Sequence, residues 1–397
     1  MGLTPADLEQ PKFRRMNKAY QPDTSGAQDQ QAVDWLTHLI EQSLDLQASD
    51  IHLEPYETLL RIRLRIDGLL HEMPTPPALL RERIVSRIKV LSRLDIAEKR
   101  LPQDGRMQFA LPSRLVDMRV STLPTLHGEK VVLRVLDFHA ERLGFAALGF
   151  NAQEQHILVS AIEQPHGMVL ITGPTGSGKT VTLYTCLDHL NKPEVNIATV
   201  EDPSEIILAG ANQVNVNDKI GLNFASTLRS LLRQDPDIIM LGEIRDFETA
   251  DIAVKASQTG HLVLSTLHTN DAPGALLRLQ HMGIAGFNLA SSLNLICAQR
   301  LVRRLCNWCK VRVPGQERFK AVGCPHCKGG YKGRVGIHQL MPITDELQDL
   351  ILSQSSMLAI TALATQQGMQ SLRYSGLCKV AAGDTSLEEI EGATLAT

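Results

Sequence analysis

Met168-Val169-Leu170-Ile171-Thr172 is followed directly by Gly173-Pro174-Thr175-Gly176-Ser177-Gly178-Lys179-Thr180 and then by a helix-like segment. The apolar run predicts a buried strand, and a glycine-rich octapeptide between a strand and a helix is the pattern of a phosphate-binding loop. The alternative is a flexible Gly/Ser turn, but a linker has no use for Lys-Thr directly after glycine. The sequence therefore predicts binding of a nucleoside triphosphate.

Each residue type in the octapeptide has a physical role in holding a triphosphate. The glycines let successive backbone N–H groups converge on the phosphates, and Lys179 adds a positive charge near the terminal ones. The Thr180 hydroxyl is a ligand for Mg²⁺. Residues 173–180 are thus the predicted ATP-binding loop.

Composition excludes several classes of protein. The chain has 397 residues, 43% hydrophobic and 21% charged, with a net charge of −3, so a dedicated nucleic-acid binder with a basic footprint is disfavoured. No apolar run approaches the roughly eighteen residues of a membrane span, and residues 1–20 do not resemble a secretion signal. Seven cysteines without secretory context indicate reduced thiols in the cytosol.

Changes of periodicity divide the chain. Residues 1–30 show no sustained period and predict a mobile tail, and residues 31–137 predict a small α+β domain. Its features are a helix from Ala32 to near Gln47, a strand alternating Leu or Ile with Arg61, Arg63 and Arg65, and further elements up to residue 136. Residues 138–151 predict a linker. Alternating strands and helices in residues 152–397 predict an α/β fold with a mainly parallel sheet, a cysteine-bearing insertion at 303–334 and a helical part at 344–397.

Two further strands end in acids. Residues 237–243 run from Asp237 through four apolar residues to Gly242-Glu243, which is the pattern of a Walker B element. Residues 199–203 repeat it and end in Glu201-Asp202-Pro203. For the second pattern the alternative interpretation is a capped turn. The residues alone leave open whether Glu201 or Glu243 is the base that activates water.

Other residues carry weaker signals. His268 follows a third apolar strand, where a hydrogen-bonded structural histidine is the more common case. Arg61, Arg63 and Arg65 fit a solvated strand face better than an anion site. The arginines in the segment from Arg100 to Arg106, together with Arg119 and Arg134, have no signature of their own.

Four cysteines form a paired arrangement. Cys306-Asn307-Trp308-Cys309 and Cys324-Pro325-His326-Cys327 are separated by fourteen residues, close to the spacing of four-thiolate zinc sites. Four thiolates leave no open coordination position, so Zn²⁺ is predicted to be structural, with coincidental free cysteines as the alternative. The remaining cysteines, Cys186, Cys297 and Cys378, are predicted to be small core residues in helices.

Taken in chain order, these motifs resemble the secretion ATPase superfamily. The match is with the GspE/PilB type of type II secretion and type IV pilus assembly ATPases. It extends from about residue 30 to the end and includes residues 49–55, 100–106, 260–270 and 333–336. The resemblance implies a RecA-like P-loop ATPase domain preceded by a small PAS-like domain. It also implies a homohexameric motor that acts on an inner-membrane platform protein and, through it, on pilin-like subunits.

The resemblance also assigns roles to residues. Glu243 takes the Walker B role, Glu201 is an alternative water-activating residue, and His268 senses the γ-phosphate. Arg100, Arg106, Arg119 and Arg134 occupy positions where the family's small domain offers arginines to the nucleotide, much as an arginine finger does. The implied cofactors are ATP, Mg²⁺ and Zn²⁺.

The family pattern bears on the machine that the chain serves. The cysteine pairs resemble a zinc element that the pilus retraction ATPases lack, although the spacer is shorter than usual. The additional N-terminal docking domain of the family is not seen. We expect an ATPase in the cytoplasm, peripheral to the bacterial inner membrane, without direct nucleic-acid contact. Two alternatives stay open: a nucleic-acid translocating ATPase of related ring build and a nucleotide-gated scaffold that does not hydrolyse ATP.

Overall fold

The computed structural model describes residues 25–111, 115–136 and 144–394. The chain divides into two compact units, Met1–Phe138 and His139–Thr397. No helix among the described residues is both long and apolar enough to cross a bilayer.

The first unit is an antiparallel sheet with two helices. Its elements are α1 (Ser25–Asp45), β1 (Asp50–Pro55), β2 (Leu60–Ile66), β3 (Leu69–Met73), α2 (Arg81–Leu91), β4 (Gln103–Ala110), β5 (Leu115–Thr125) and β6 (Gly128–Val135), with a 3₁₀ turn at Ala78–Leu80. The strand order is β3-β2-β1-β6-β5-β4. Strand β2 buries every second residue, as its alternation predicts, and the helices pack on that apolar face.

The second unit is an α/β fold. Its elements in chain order, through strand β12, are α3 (Phe145–Leu148), α4 (Ala152–Ile162), β7 (Gly167–Thr172), α5 (Lys179–Leu190), β8 (Ile197–Glu201), β9 (Ala211–Asn215), α6 (Phe224–Leu231), β10 (Ile238–Leu241), α7 (Phe247–Gln258), β11 (Leu262–Leu267), α8 (Ala272–His281), α9 (Gly286–Ser292) and β12 (Leu293–Leu305). Then follow β13 (Val311–Arg312), β14 (Phe319–Lys320), β15 (Tyr331–Pro342), α10 (Asp345–Leu352), α11 (Met357–Gln366), α12 (Leu372–Ala381) and α13 (Leu387–Ala393). A 3₁₀ turn lies at Asp218–Ile220.

Seven strands make the central sheet in the order β15-β12-β7-β11-β10-β8-β9. All neighbours are parallel except β12 and β15. One apolar core, with residues of α3, α4 and α5, covers one face, and a second, with residues of α6 to α9, covers the other. The predicted α/β fold with a mainly parallel sheet and a helical C-terminal part is confirmed, whereas the PAS-like character of the first unit stays a prediction.

Three local predictions are wrong. Helix α1 begins at Ser25, inside the predicted 1–30 tail, since Ala and Gln favour the helix there; residues 1–24 lie outside the described part. In the predicted 138–151 linker, residues 145–148 form α3, and Phe145 and Phe150 are buried. Cys378 is exposed on α12, and the buried Cys297 lies in a strand.

Candidate functional site

The carboxyl ends of four parallel strands meet at one edge of the sheet. Leu241 pairs with Val200 on one side and Ser265 on the other, and Leu267 pairs with Thr172. The loops that follow these strands therefore lie side by side, which is where ligands bind in open α/β sheets. The predicted phosphate loop and both acidic motifs follow these ends. Their proximity is a consequence of the strand register.

The phosphate loop adopts a conformation that needs its glycines. Gly173, Gly176 and Gly178 have φ angles of 150°, 79° and 85°, which other residues rarely adopt. A Cβ at Gly173 would lie 2.4 Å from the Gln299 carbonyl oxygen, and one at Gly178 would lie 2.9 Å from the Gln299 amide nitrogen. Helix α5 begins at Lys179, so its N-terminal N–H groups face the loop.

Gln299 holds this loop from a neighbouring strand. Its Nε2 donates to the Ser177 carbonyl at 2.8 Å, and its Oε1 accepts from the Thr182 hydroxyl at 2.7 Å. The residue is 1% exposed, so both hydrogen bonds are shielded from water. No sequence pattern indicates Gln299, because the pairing of β12 with β7 is what brings it to the loop.

Lys179 is buried with two backbone acceptors of its own loop. Its Nζ donates to the carbonyls of Gly173 at 2.8 Å and Pro174 at 3.1 Å. Burial, with a smaller effect of the nearby Arg300 cation, outweighs the attraction of Glu243 and lowers the pKa of Lys179 to about 8. The Ser177 Oγ is buried without a partner. The Lys179 cation, the unpaired Ser177 hydroxyl and the N-terminus of α5 together fit an anionic ligand, and thus the phosphates of Mg-ATP.

Glu243 lies at the same edge among charged groups. It forms an ion pair with Arg245, whose guanidinium is also 3.6 Å from Asp202, and its Oε2 is 3.2 Å from His268 Nε2. Partial burial acts to raise the pKa of Glu243, but the hydrogen bonds and charges of Arg245 and His268 lower it overall. Glu243 is therefore an ionised carboxylate that reaches solvent beside the loop.

Glu201 has a different environment. It is 3% exposed, and neutral groups donate to both oxygens: Tyr184 to Oε2 at 2.6 Å, and Thr199 and Gln213 to Oε1 at 2.7 and 3.1 Å. Burial, together with the Glu201 carboxylate, raises the pKa of Tyr184, so the phenol remains a donor. Tyr184 lies on α5 and Gln213 on the edge strand β9, so this buried network joins the phosphate-loop helix to that strand. Sequence reasoning missed both residues.

Hydroxyl groups connect the remaining strand ends. Thr172 and Thr269 share a hydrogen bond of 2.7 Å, and the Thr269 N–H donates to Thr172 Oγ1 at 2.9 Å. Thr266 Oγ1 donates to the Gly242 carbonyl at 2.7 Å. The loop that carries His268 is thus tied to the end of β7, immediately before the phosphate loop.

Three of the four predicted arginines form a row on the sheet of the first unit. Arg106 pairs in register with Arg119, and Arg119 with Arg134. Like charges directly opposite each other destabilise a sheet, so this row favours an anion. Arg134 forms an ion pair with Asp50 at 3.0 Å, whereas Arg106 and Arg119 have no ion pair with a described residue. Arg100 lies before β4 and pairs with Glu98.

The four predicted zinc ligands are together. All four sulfur atoms lie within 4.8 Å of one another, with the closest pairs at 3.6 to 3.8 Å. Tetrahedral Zn–S bonds of about 2.3 Å require sulfurs about 3.8 Å apart. The backbone N–H groups of Gly323 and Cys324 point at sulfurs from 3.3 Å, as they do around thiolates. The cluster fits one metal ion.

Comparison with known sequences gives a consistent result. A family model described as type II/IV secretion system protein matches residues 26–392. The type IV pilus assembly ATPase PilB of Acinetobacter baylyi is 52% identical over 382 residues, which cover 91% of this chain and 66% of that protein. The type II secretion system protein HxcR of Pseudomonas aeruginosa is 52% identical over 353 residues, which cover 89% and 75% respectively.

Solved structures agree with the fold. The pilus retraction motor PilT with bound ADP superimposes with a TM-score of 0.66 at 26% identity, covering 91% of this chain and 97% of PilT. This chain spans about two thirds of the length of its Acinetobacter relative.

The network around Glu201 leads to a stability prediction. Tyr184→Phe removes the donor to a buried carboxylate oxygen, so we expect a loss of about 1–3 kcal/mol in the free energy of unfolding. Thermal unfolding followed by circular dichroism measures it. Tyr374→Phe is the matched control, because Tyr374 is 54% exposed. Equal melting temperatures for the two variants would show that the hydrogen bond has no such role.

Proposed function

Because the chain belongs to the type II/IV secretion system protein family, we propose that it is a motor ATPase that drives assembly of a type IV pilus or of a type II secretion pseudopilus. The observation that carries this proposal is the ionised Glu243 beside the buried Lys179 at the end of the central sheet. ATP is the substrate, and Thr180 would contribute to the Mg²⁺ shell.

Glu243 rather than Glu201 is the proposed base. General-base catalysis requires a carboxylate that can reach a water molecule and accept its proton. The side chain of Glu243 is 22% exposed and lies near Lys179, whereas Glu201 is 3% exposed and enclosed in a network of neutral donors that separates it from water. We assign Glu201 to positioning. His268, which contacts Glu243 Oε2, is suited to report the state of the γ-phosphate to that carboxylate.

The arginine row is the proposed source of further positive charge. Arg106, Arg119 and Arg134 share one face of the first unit, and the repulsion among them decreases when an anion binds. Arg100 is included with these three arginines only because the family resemblance implies it. In a homohexamer these arginines would neutralise charge in the transition state of phosphoryl transfer. The proposed partner is an inner-membrane platform protein, and the proposed location is the cytoplasmic face of the bacterial inner membrane.

The four cysteines are proposed to hold a structural Zn²⁺. The residues around them, 303–334, will be called the cysteine element. Between the end of β12 and the start of β15 its regular structure is two short strands of two residues each, β13 and β14, so metal bonds would supply folding energy that its apolar contacts do not.

The assignment of the base leads to a kinetic prediction. Glu243→Gln should retain Mg-ATP binding and lose at least about 100-fold in kcat, because the amide cannot accept a proton. Glu201→Gln should lose less. Phosphate release and binding of a fluorescent ATP analogue separate the two effects. A larger loss in Glu201→Gln would exchange the roles, and normal hydrolysis by well-folded Lys179→Ala would refute the ATPase site altogether.

The lowered pKa of Lys179 leads to a pH prediction. The charged amine binds phosphate, and its pKa of about 8 in the free protein lies below its usual value. Below pH 8 the amine is already charged; above it, binding requires uptake of a proton. The apparent Kd for Mg-ATP should therefore rise by up to about tenfold per pH unit above this pKa. Titrations across this range test it, with the exposed Lys192→Ala as control. A flat profile would contradict it.

Metal analysis tests the proposed zinc site. Purified protein should contain about one zinc ion per chain, and a soluble Cys306→Ser/Cys309→Ser variant should contain none. Cys378→Ser, which changes an exposed cysteine outside the cluster, should retain the metal. Metal-free wild-type protein with an intact fold would rule the site out.

A further inference from the structure

The first unit contains a buried ion pair to which the proposed mechanism gives no role. Lys89 lies on α2 with its side chain 1% exposed, and its Nζ is 2.5 Å from Glu129 Oε1 on β6. Glu129 is on the same face of β6 as the core residues Val131 and Leu133. Desolvation of two charges offsets much of their attraction, so a buried ion pair is weak evidence of a gain in stability. Placement of other residues is the alternative role.

The Lys89 amine donates its hydrogen bond to a loop. Its Nζ donates to the Glu98 carbonyl at 2.7 Å, whereas Glu129 Oε1 has no aligned hydrogen bond with any described residue. Glu98 belongs to residues 92–102, all of them described, which join α2 to β4 without a helix or strand. These residues will be called the arginine loop. Because secondary structure does not satisfy their backbone groups, they need other partners.

Side chains supply partners for the middle of the arginine loop. Gln103 Nε2 donates to the same Glu98 carbonyl at 2.9 Å and to the Asp95 carbonyl at 3.0 Å. Gln103 Oε1 accepts from the Asp95 N–H at 2.8 Å, and Asp95 Oδ1 accepts from the Ala97 N–H at 2.8 Å. The segment is thus attached to β4 by Gln103 and to the core by Lys89.

The anchored Glu98 in turn holds Arg100. Its carboxylate accepts from the Arg100 backbone N–H at 2.6 Å and forms a bidentate pair with the guanidinium, at 3.1 Å to Nε and 2.7 Å to Nη2. The Arg100 side chain is 86% exposed, so Glu98 restrains it and packing does not. A series of contacts therefore runs from the buried amine through Glu98 to an exposed guanidinium.

The start of the arginine loop is fixed separately. A Cβ at Gly105 would lie 2.7 Å from the Ser92 carbonyl oxygen and 2.8 Å from the Leu94 side chain, so β4 packs closely on residues 92–94. Strand β4, which carries Arg106, is also paired with β5 along its length. The part of the loop whose position depends on Lys89 is therefore residues 95–100.

We propose that Lys89 is a positioning residue, which together with Glu129 fixes the arginine loop on the core of the first unit and so holds Arg100 in one conformation. An ammonium group has three donors, so it can serve a carboxylate and a carbonyl at once. Charge that is already in place stabilises a transition state best, because no reorganisation accompanies the reaction. The inference rests on the role proposed above for Arg100 and adds a core residue to it.

Replacement of both buried charges separates positioning from stability. Lys89→Met/Glu129→Met leaves no single charge buried, so the full-length protein should melt close to the parent temperature. Hydrogen–deuterium exchange at the amides of residues 95–100 should nevertheless become about tenfold faster or more. The kcat for ATP hydrolysis should fall about tenfold or more, because Arg100 is no longer held in place, while the Kd for a fluorescent ATP analogue stays unchanged.

Lys99→Met/Glu82→Met is the matched control. It removes an ion pair between the same loop and the same helix, but one at 3.5 Å whose side chains are 58% and 88% exposed. Exposed pairs contribute little, so loop exchange and kcat should both stay at the parent values. Equal losses in the control and in the core variant would contradict the inference, because the buried place of Lys89 would then have no special effect.

A double-mutant cycle tests whether Lys89 acts through Arg100. Added to Arg100→Gln, the substitutions Lys89→Met/Glu129→Met should lower kcat by less than about twofold further. A general structural defect would lower kcat by the same factor in both backgrounds. That additivity, or unchanged exchange of residues 95–100 in the core variant, would overturn the inference.

Gln103→Met tests the same anchor from the partly exposed start of β4. It removes the other donor to the Glu98 carbonyl and leaves the buried pair intact, so the same amides should exchange faster. If the core variant does not fold, unchanged exchange and kcat in Gln103→Met would overturn the inference. Normal kcat in Arg100→Gln would refute the proposed role of Arg100 itself, which the exchange measurements do not involve, so the two failures are distinguishable.

Discussion

Parallel pairing of β7, β11, β10 and β8 is the constraint on which the candidate site depends. It brings residues that are up to a hundred positions apart to one edge of the sheet, each at the end of its own strand. Hydroxyl groups then fix the loops: Thr172 bonds to Thr269, and Thr266 bonds to the Gly242 carbonyl. Without this register the phosphate loop would have no acids beside it.

The two glutamates illustrate how environment separates identical side chains. Glu243 accepts from Arg245 and His268 at the solvent edge, so charged neighbours favour its ionised form. Glu201 is buried and receives only neutral donors. A solvent-accessible, ionised carboxylate suits proton transfer, and one enclosed in a buried network suits the maintenance of geometry. The same residue type is therefore proposed to serve two purposes within one fold.

Local patterns were sufficient to predict most of the fold. The apolar strands, the glycine-rich loop and the cysteine spacing are each encoded within a few neighbouring residues, so the α/β class and the sulfur cluster followed from the sequence. Tertiary contacts were not accessible in this way. Phe145 and Phe150 lie in a stretch without periodicity and are buried nevertheless, because they pack beneath α4 and α5.

The same distinction between local patterns and tertiary contacts holds for the residues of the candidate site. Lys179, Glu201 and Glu243 belong to contiguous motifs and could be predicted. Gln299 and Tyr184 could not, because each acts through a partner brought near by the fold. The alignment of Arg106 with Arg119 and Arg134 depends on the register of three strands, which single arginines in a sequence do not indicate.

The hydrogen bonds of Tyr184 connect the first turns of α5 with the outermost strand of the sheet. Gln213 on β9 donates to the Tyr184 hydroxyl at 3.0 Å and to the Ile206 carbonyl at 2.9 Å. A molecule that displaced β9 would therefore change the free energy of the helix that starts at Lys179. By thermodynamic linkage the influence is mutual, so occupancy of the phosphate loop would alter affinity at that distant edge by an equal factor.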